Sequence, residues 1–317
     1  MLKDIQFANP SRELVELYSF KEWRQRIHLQ DNLFTPGTRC EFEWEHCRLP
    51  DQLSGVSFLD VGSNDGMFSF LAEKKGATEV TAVDLYVGEE NTGLNMVGGW
   101  PQKRIELIKK SKKSAVDIKS CSIYELHTMG RVFDEVFCGN VIAWLQNPVA
   151  ALTSLAKVAK NILYIREDVS KVKEKPVLEF VNNPSMSSCM FNGNEMFYSE
   201  VLKNLGFQSV EFYPIDEYEI YKQRYIDFVK FDIKADTEVL GNPFTENAEL
   251  KTDKDSTELG SFQINGKVFF NRIGWIKAKD ISISKIAAIP KGFIKEQIYK
   301  NKFRKQAKEN KMIICKR

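Results

Sequence analysis

Residues 58–66, Phe-Leu-Asp-Val-Gly-Ser-Asn-Asp-Gly, with Val80-Thr-Ala-Val-Asp84 downstream, restrict the possible fold more than any other feature of the chain. Phe58 to Val61 is a short apolar run that reads as a buried parallel strand. Gly62 and Gly66 then turn the chain into a segment of helical composition beginning at Met67, and Gly76 closes that helix. Glu79 to Val83 reads as the next strand, with Asp84 at its carboxyl end. Strand, glycine turn, helix and acid-tipped strand make a nucleoside-binding half-fold. The turn brings backbone N–H groups to the ligand, and the acid accepts hydrogen bonds from two ribose hydroxyls.

The loop spacing separates two nucleoside cofactors. A dinucleotide loop is G-x-G-x-x-G, with a helix N-terminus facing a pyrophosphate. Here the pattern is Asp60-x-Gly62-x-x-x-Gly66, with Asn64 at the middle position. Asn is the side chain that best tolerates left-handed backbone angles, so the turn survives the exchange. An acid two residues before the first glycine suits a cationic ligand with an amino group better than a diphosphate. The spacing therefore disfavours NAD and points to S-adenosylmethionine (SAM).

Alternating elements continue downstream. A helix is expected from Pro101 to Lys113, a third strand and its loop from Ala115 to Tyr124, and a fourth strand from Phe133 to Cys138. A helix over 148–160, a fifth strand over Asn161–Arg166, a helix over about Glu195–Leu205 and a strand over Gln208–Tyr213 follow. Two leader helices are expected at Arg12–Tyr18 and Glu22–Ile27, and the last strand at Val268–Lys277. The expected fold is α/β, a doubly wound Rossmann-like parallel sheet with ligands at the strand carboxyl ends. The expected divisions are a leader (1–54), a cofactor-binding core (55–215), an insertion or lid (216–266), the last core strand (267–284) and a basic C-terminal helix (285–317).

These residues resemble those of class I SAM-dependent methyltransferases, in the branch typified by wobble-uridine tRNA methyltransferases and their small-molecule relatives. The resemblance extends to the tryptophan-containing lead-in Cys40–Trp44 and Leu49–Gly55, to Phe133–Pro148, and to Leu202–Phe212 with Leu205-Gly-Phe207. It covers about residues 35–215. The resemblance implies that Gly62, Ser63, Asn64 and Gly66 line the methionine end and ribose, while Asp84 binds the ribose hydroxyls. Asp60 either holds the loop or reaches the cofactor's amino group. Ser122 and Ile123 would flank adenine, with core packing an equal alternative for Ile123, and Gly139 and Asn140 would contact the methionine part. Relatives often carry Tyr-His after the fourth strand, where this chain has Ala143-Trp144, so that histidine's role has no bearer here.

Glu167 and Asp168, at the end of the fifth strand, are the candidate general bases, although strand-end carboxylates also serve as caps and loop anchors. An acceptor that is already an anion needs no base. No metal site is expected. The six cysteines are scattered without C-x-x-C, and only three histidines are present. The absence of a signal or membrane-spanning pattern suggests a cytoplasmic protein.

Charge is unevenly placed. Residues 285–317 carry eleven Lys/Arg against Glu296 and Glu309, a net +9, so with +2 for the whole chain the remainder carries −7. That tail reads as a basic, weakly amphipathic helix able to hold RNA or an anionic membrane surface, or simply as a solvated end. The expected activity is methyl transfer from SAM to an oxygen of a small molecule or saccharide. The alternatives are a wobble-uridine-type tRNA methyltransferase and a SAM-binding protein without turnover.

Overall fold

Seven strands form the central sheet: β1 (Ser57–Val61), β2 (Glu79–Asp84), β3 (Asp117–Ser120), β4 (Phe133–Gly139), β5 (Ala159–Ser170), β6 (Ser209–Pro214) and β7 (Lys308–Lys316). The computed structural model describes residues 16, 17, 20, 23–29, 34, 35, 37, 39–87, 100–181, 190–216, 220, 250–252, 260–264, 267–271 and 308–317. The strand order is β6-β7-β5-β4-β1-β2-β3. All neighbours from β5 to β3 pair in parallel, and β7 is antiparallel to both β5 and β6. The order reverses between β1 and β4, the switch point where open α/β sheets bind ligands.

Five α-helices are described: α1 (Glu43–His46), α2 (Met67–Lys74), α3 (Gln102–Lys112), α4 (Pro148–Val158) and α5 (Glu195–Asn204). Their ends are set by local chemistry. Asn147 caps α4 by accepting from the Ala150 amide, with Pro148 at the first helical position. α2 stops because Gly76 takes φ +90°, which lets the Gly76 and Ala77 amides reach back to the Glu73 and Ala72 carbonyls. Gly206 ends α5 in the same way.

Both faces of the sheet are covered, as a parallel sheet requires. On one face Phe58, Phe137, Tyr164, Met312 and Ile314 pack with Trp44, Phe68 and Ile105 of α1, α2 and α3. On the other, Leu59, Val136, Leu163, Ile165, Ile313 and Cys315 pack with Leu152, Leu155 and Tyr198 of α4 and α5. Successive residues of each strand thus enter opposite layers.

The C-terminal segment differs from expectation. Residues 308–316 are not part of a basic helix; they are the seventh strand, inserted between β5 and β6. The reason is the run Met312-Ile-Ile-Cys315, buried on both sides of the strand, with the lysines confined to its flanks. The rest of the tail, 285–307, lies outside the described residues. The stretch expected to supply the last strand behaves differently too. Its described part, Lys267–Asn271, pairs with Gly260–Ile264, which pairs in turn with Leu250–Thr252 in a separate three-stranded sheet.

The second leader helix is also replaced. Residues 23–29 are extended, with bridges from Gln25 to Arg39 and from His28 to Phe34. Their amides are spent on tertiary partners: Arg24 and Gln25 donate to Asp65, and Ile27 donates to the Thr35 hydroxyl. A helix would turn those amides onto its own carbonyls. Of the first leader helix, only Glu16 and Leu17 are described, and both are helical.

Candidate functional site

The loop joining β1 to α2 is built from left-handed residues: Gly62 at φ +76°, Asn64 at +56° and Gly66 at +89°. A methyl group on Gly62 would lie 2.3 Å from Val141 Cγ2, so the loop after β4 packs directly against it. Asp84 closes the other side. Its Oδ2 accepts from the Asn64 amide and its Oδ1 from the Leu85 amide, both at 2.8 Å. Each oxygen keeps a second lone pair, so the half-buried carboxylate can also take hydroxyl donors. Burial pushes the Asp84 carboxyl up to about 6.

Beneath the loop the partners are buried. Asp60, 1% exposed, accepts from Ser69 Oγ of α2 at 2.6 Å, and burial with the nearby Asp84 charge raises it to about 7. Its carboxylate therefore fastens strand to helix below the loop. Asp65 is fully buried, forms an ion pair with Arg104 of α3, and accepts from the Gln25 amide at 3.1 Å. The Arg104 guanidinium also lies 5.1 Å from the centre of the Trp23 ring. Gln25 threads between two loop residues: its Nε2 donates to the Ser63 carbonyl and its Oε1 accepts from the Met67 amide. Ser63 Oγ and Tyr86 Oη are 2.7 Å apart. Asn64 Oδ1 is buried without a hydrogen-bond partner.

Ser122 and Ile123 follow β3, where Ser122 caps a short 3-10 helix by accepting from the Tyr124 amide. Ile123 is 8% exposed and packs in the core. Gly139 and Asn140 end β4, both half-buried, and the left-handed Asn140 donates its amide to the Arg166 carbonyl at 2.7 Å. These residues and the β1 loop lie at the carboxyl ends of β3, β4 and β1.

The two candidate bases have different surroundings. Glu167 is buried and accepts from the amides of Ile142 and Ala143, which open the 3-10 turn carrying Trp144. Burial, reinforced by the Asp168 charge, raises it to about 7. This is the geometry of a loop anchor. Asp168 is half-buried and accepts from Asn310 Nδ2 of β7 at 3.2 Å. Asn310 also donates to Asn140 Oδ1 and accepts from Arg166 Nε, while Arg166 reaches Glu43 of α1 at 2.7 Å.

Gln25, Arg104, Arg166 and Asn310 were not singled out from sequence. Gln25, Arg104 and Asn310 reach the site from elements distant along the chain and Arg166 from beside Glu167 on β5; none sits in a motif, whereas Asp65 lies inside the loop pattern. Burial pushes the Cys47 thiol, which lies beside Arg166, up to about 11. Among the described residues no His/Cys/Asp/Glu group is arranged to hold a metal ion, and no helix is long and apolar enough to cross a membrane.

No family model and no curated protein matches the sequence. Solved structures with a similar fold include the N-terminal domain of EvdMO1, crystallised in the presence of SAH and D-fucose, at 15% identity and TM-score 0.46 over 64% of this chain and 90% of that one. The [4+2]-cyclase SpnF matches at 11% identity and TM-score 0.49 over 96% of this chain and 92% of that one. An S-adenosylmethionine-dependent methyltransferase from Mesorhizobium loti matches at 12% identity and TM-score 0.41, over 58% and 91% respectively. Likenesses this remote carry nothing about ligands or chemistry.

Proposed function

We propose that this chain is a SAM-dependent methyltransferase of the cytoplasm, acting on an oxygen of a small molecule or saccharide. The observation that carries the reading is the β1 loop at the switch point, held to Asp84 through the Asn64 amide. The unit proposed to bind the cofactor comprises residues 55–215 together with 308–317.

The residues present fit SAM. Asp60, Asp65 and Asp84 surround the loop, and of the three Asp65 is paired with Arg104, an electrostatic setting that favours a cationic ligand. The unpartnered Oδ1 of Asn64 is a buried acceptor suited to a ligand N–H or O–H. Asp84 has lone pairs for the ribose hydroxyls, Ser122 and Ile123 flank adenine, and Gly62, Ser63, Gly66, Gly139 and Asn140 border the methionine end. When bound, SAM supplies a methyl group activated by its sulfonium.

The protein's own part is alignment and proton removal. Asp168, less enclosed than Glu167, receives the proton of an acceptor hydroxyl. Glu167 holds the turn that carries Trp144, which forms an apolar wall for the acceptor. The RNA alternative rests on the resemblance to the tRNA branch and on the charge of 285–317, and residues 308–316 of that segment form a core strand.

The test is incubation with methyl-labelled SAM and fractionated extract. Label in small metabolites or saccharides supports the reading. Label in tRNA alone overturns the acceptor class, and tight SAM binding with no transfer to any fraction overturns catalysis.

A further inference from the structure

We propose that Asn310 is a positioning residue for the methionine end of the cofactor, tying Asn140 at the end of β4 to Asp168 at the end of β5. The inference rests on the SAM reading above and deepens it. Asn310 is 6% exposed, and it stands opposite Asp168 in the β5–β7 register.

Its amide has one allowed orientation. Arg166 is a donor only, so Asn310 Oδ1 must face Arg166 Nε, 3.1 Å away. Nδ2 then points the other way and donates to Asn140 Oδ1 at 3.3 Å and to Asp168 Oδ1 at 3.2 Å. Arg166 is in turn fixed by Glu43, which is fully buried. The amide is thus locked from behind, and both of its protons are spent on site residues. An amide this enclosed, two residues from the apolar run that begins at Met312, costs stability unless its partners are in place. A backbone bond from the Asn140 amide to the Arg166 carbonyl closes the circuit. The left-handed conformation of Asn140 is therefore held at its backbone by β5 and at its side chain by β7.

A purely structural role would make the same contacts, so the experiment must separate the two ends of the ligand. Adenosine carries only the nucleoside, which faces the β1 loop, Asp84 and Ser122. SAH adds the methionine part, which faces Gly139 and Asn140. Calorimetric titration of the full-length protein with each ligand reads the difference. Asn310→Leu should weaken SAH about tenfold, the loss of roughly one ligand-orienting hydrogen bond, and leave adenosine affinity unchanged. Asn140→Ala should behave likewise, and the double variant should lose no more than either single change.

If Asn310→Leu does not fold, the isosteric Asn310→Asp carries the test, because it keeps an oxygen for Arg166 Nε and removes only the two bonds donated to Asn140 and Asp168. Equal weakening of adenosine and SAH, or no weakening of SAH, overturns the inference while the SAM reading stands. Wild-type protein that binds neither ligand overturns both.

Discussion

Two buried arginines stand on opposite sides of the switch point and do unlike work. Arg104, on α3, pairs with Asp65 and holds the β1 loop against the leader strand and Trp23. Arg166, on β5, pairs with Glu43 and holds the ends of β4 and β5 through Asn310. The first secures a loop whose shape is already dictated by its own left-handed residues. The second secures groups that have no local reason to meet. A site can therefore be half preset by backbone geometry and half assembled by long-range pairing.

The comparison is broken most directly at the arginines. Arg166→Met should destabilise by about 3–5 kcal/mol in urea unfolding, since it strands a buried carboxylate and an oriented amide. Arg104→Met should fall at the low end of that range, because Asp65 keeps the Arg24 and Gln25 amides. The reverse order would mean that the loop, not the strand ends, depends more on its arginine.

Gly62→Ala joins the two sides. The added methyl meets Val141 at 2.3 Å and forces a side chain onto φ +76°. The left-handed term alone should cost about 1–2 kcal/mol, with SAM binding lost. Val141→Ala should relieve the clash but not the backbone term, a partial rescue visible in thermal unfolding.

The carboxylates sharpen the contrast through pH. Burial holds Asp60 and Glu167 at about 7 and Asp84 at about 6, all above their values in the unfolded chain. Raised values mean that the folded state binds these protons more tightly. Their stabilisation is complete below the unfolded values, near 4, and is lost as pH rises through about 6 to 7. The melting temperature should decline from about pH 5 to about pH 8, and Asp60→Asn should flatten part of that decline.

Two smaller effects concern the loop alone. Gln25→Ala removes bonds to the Ser63 carbonyl and the Met67 amide, and should weaken SAH by about 1–2 kcal/mol. Asn64→Gly should leave stability within about 0.5 kcal/mol, because glycine accepts the left-handed angle freely, yet weaken SAH measurably. Unchanged binding would show that the orphaned Oδ1 does not touch the ligand.

Much of this architecture was legible in the chain. The short runs at 58–61, 80–83 and 133–138 announce parallel strands, and Gly76 ends a helix through bonds within a few residues. The β1 loop was legible for the same reason, since its spacing encodes its own dihedrals. Residues 23–29 were not, because helical composition yielded to amides recruited by Asp65, forty residues further on. Nor were Glu167 and Asp168 separable, as adjacent carboxylates on one strand point to opposite faces and only the layers packed there distinguish anchor from candidate base.

By itself the sequence determined the first strand–loop–helix–strand unit and the alternation that makes the sheet parallel. Those follow from backbone angles and apolar periods contained within each segment. Tertiary structure alone decided that residues 308–316 fill the gap between β5 and β6, and that Asn310 lies among Arg166, Asn140 and Asp168. A strand's partner is chosen by which exposed edges and buried layers remain vacant once the rest has packed, and no local pattern in a lysine-flanked apolar run records that.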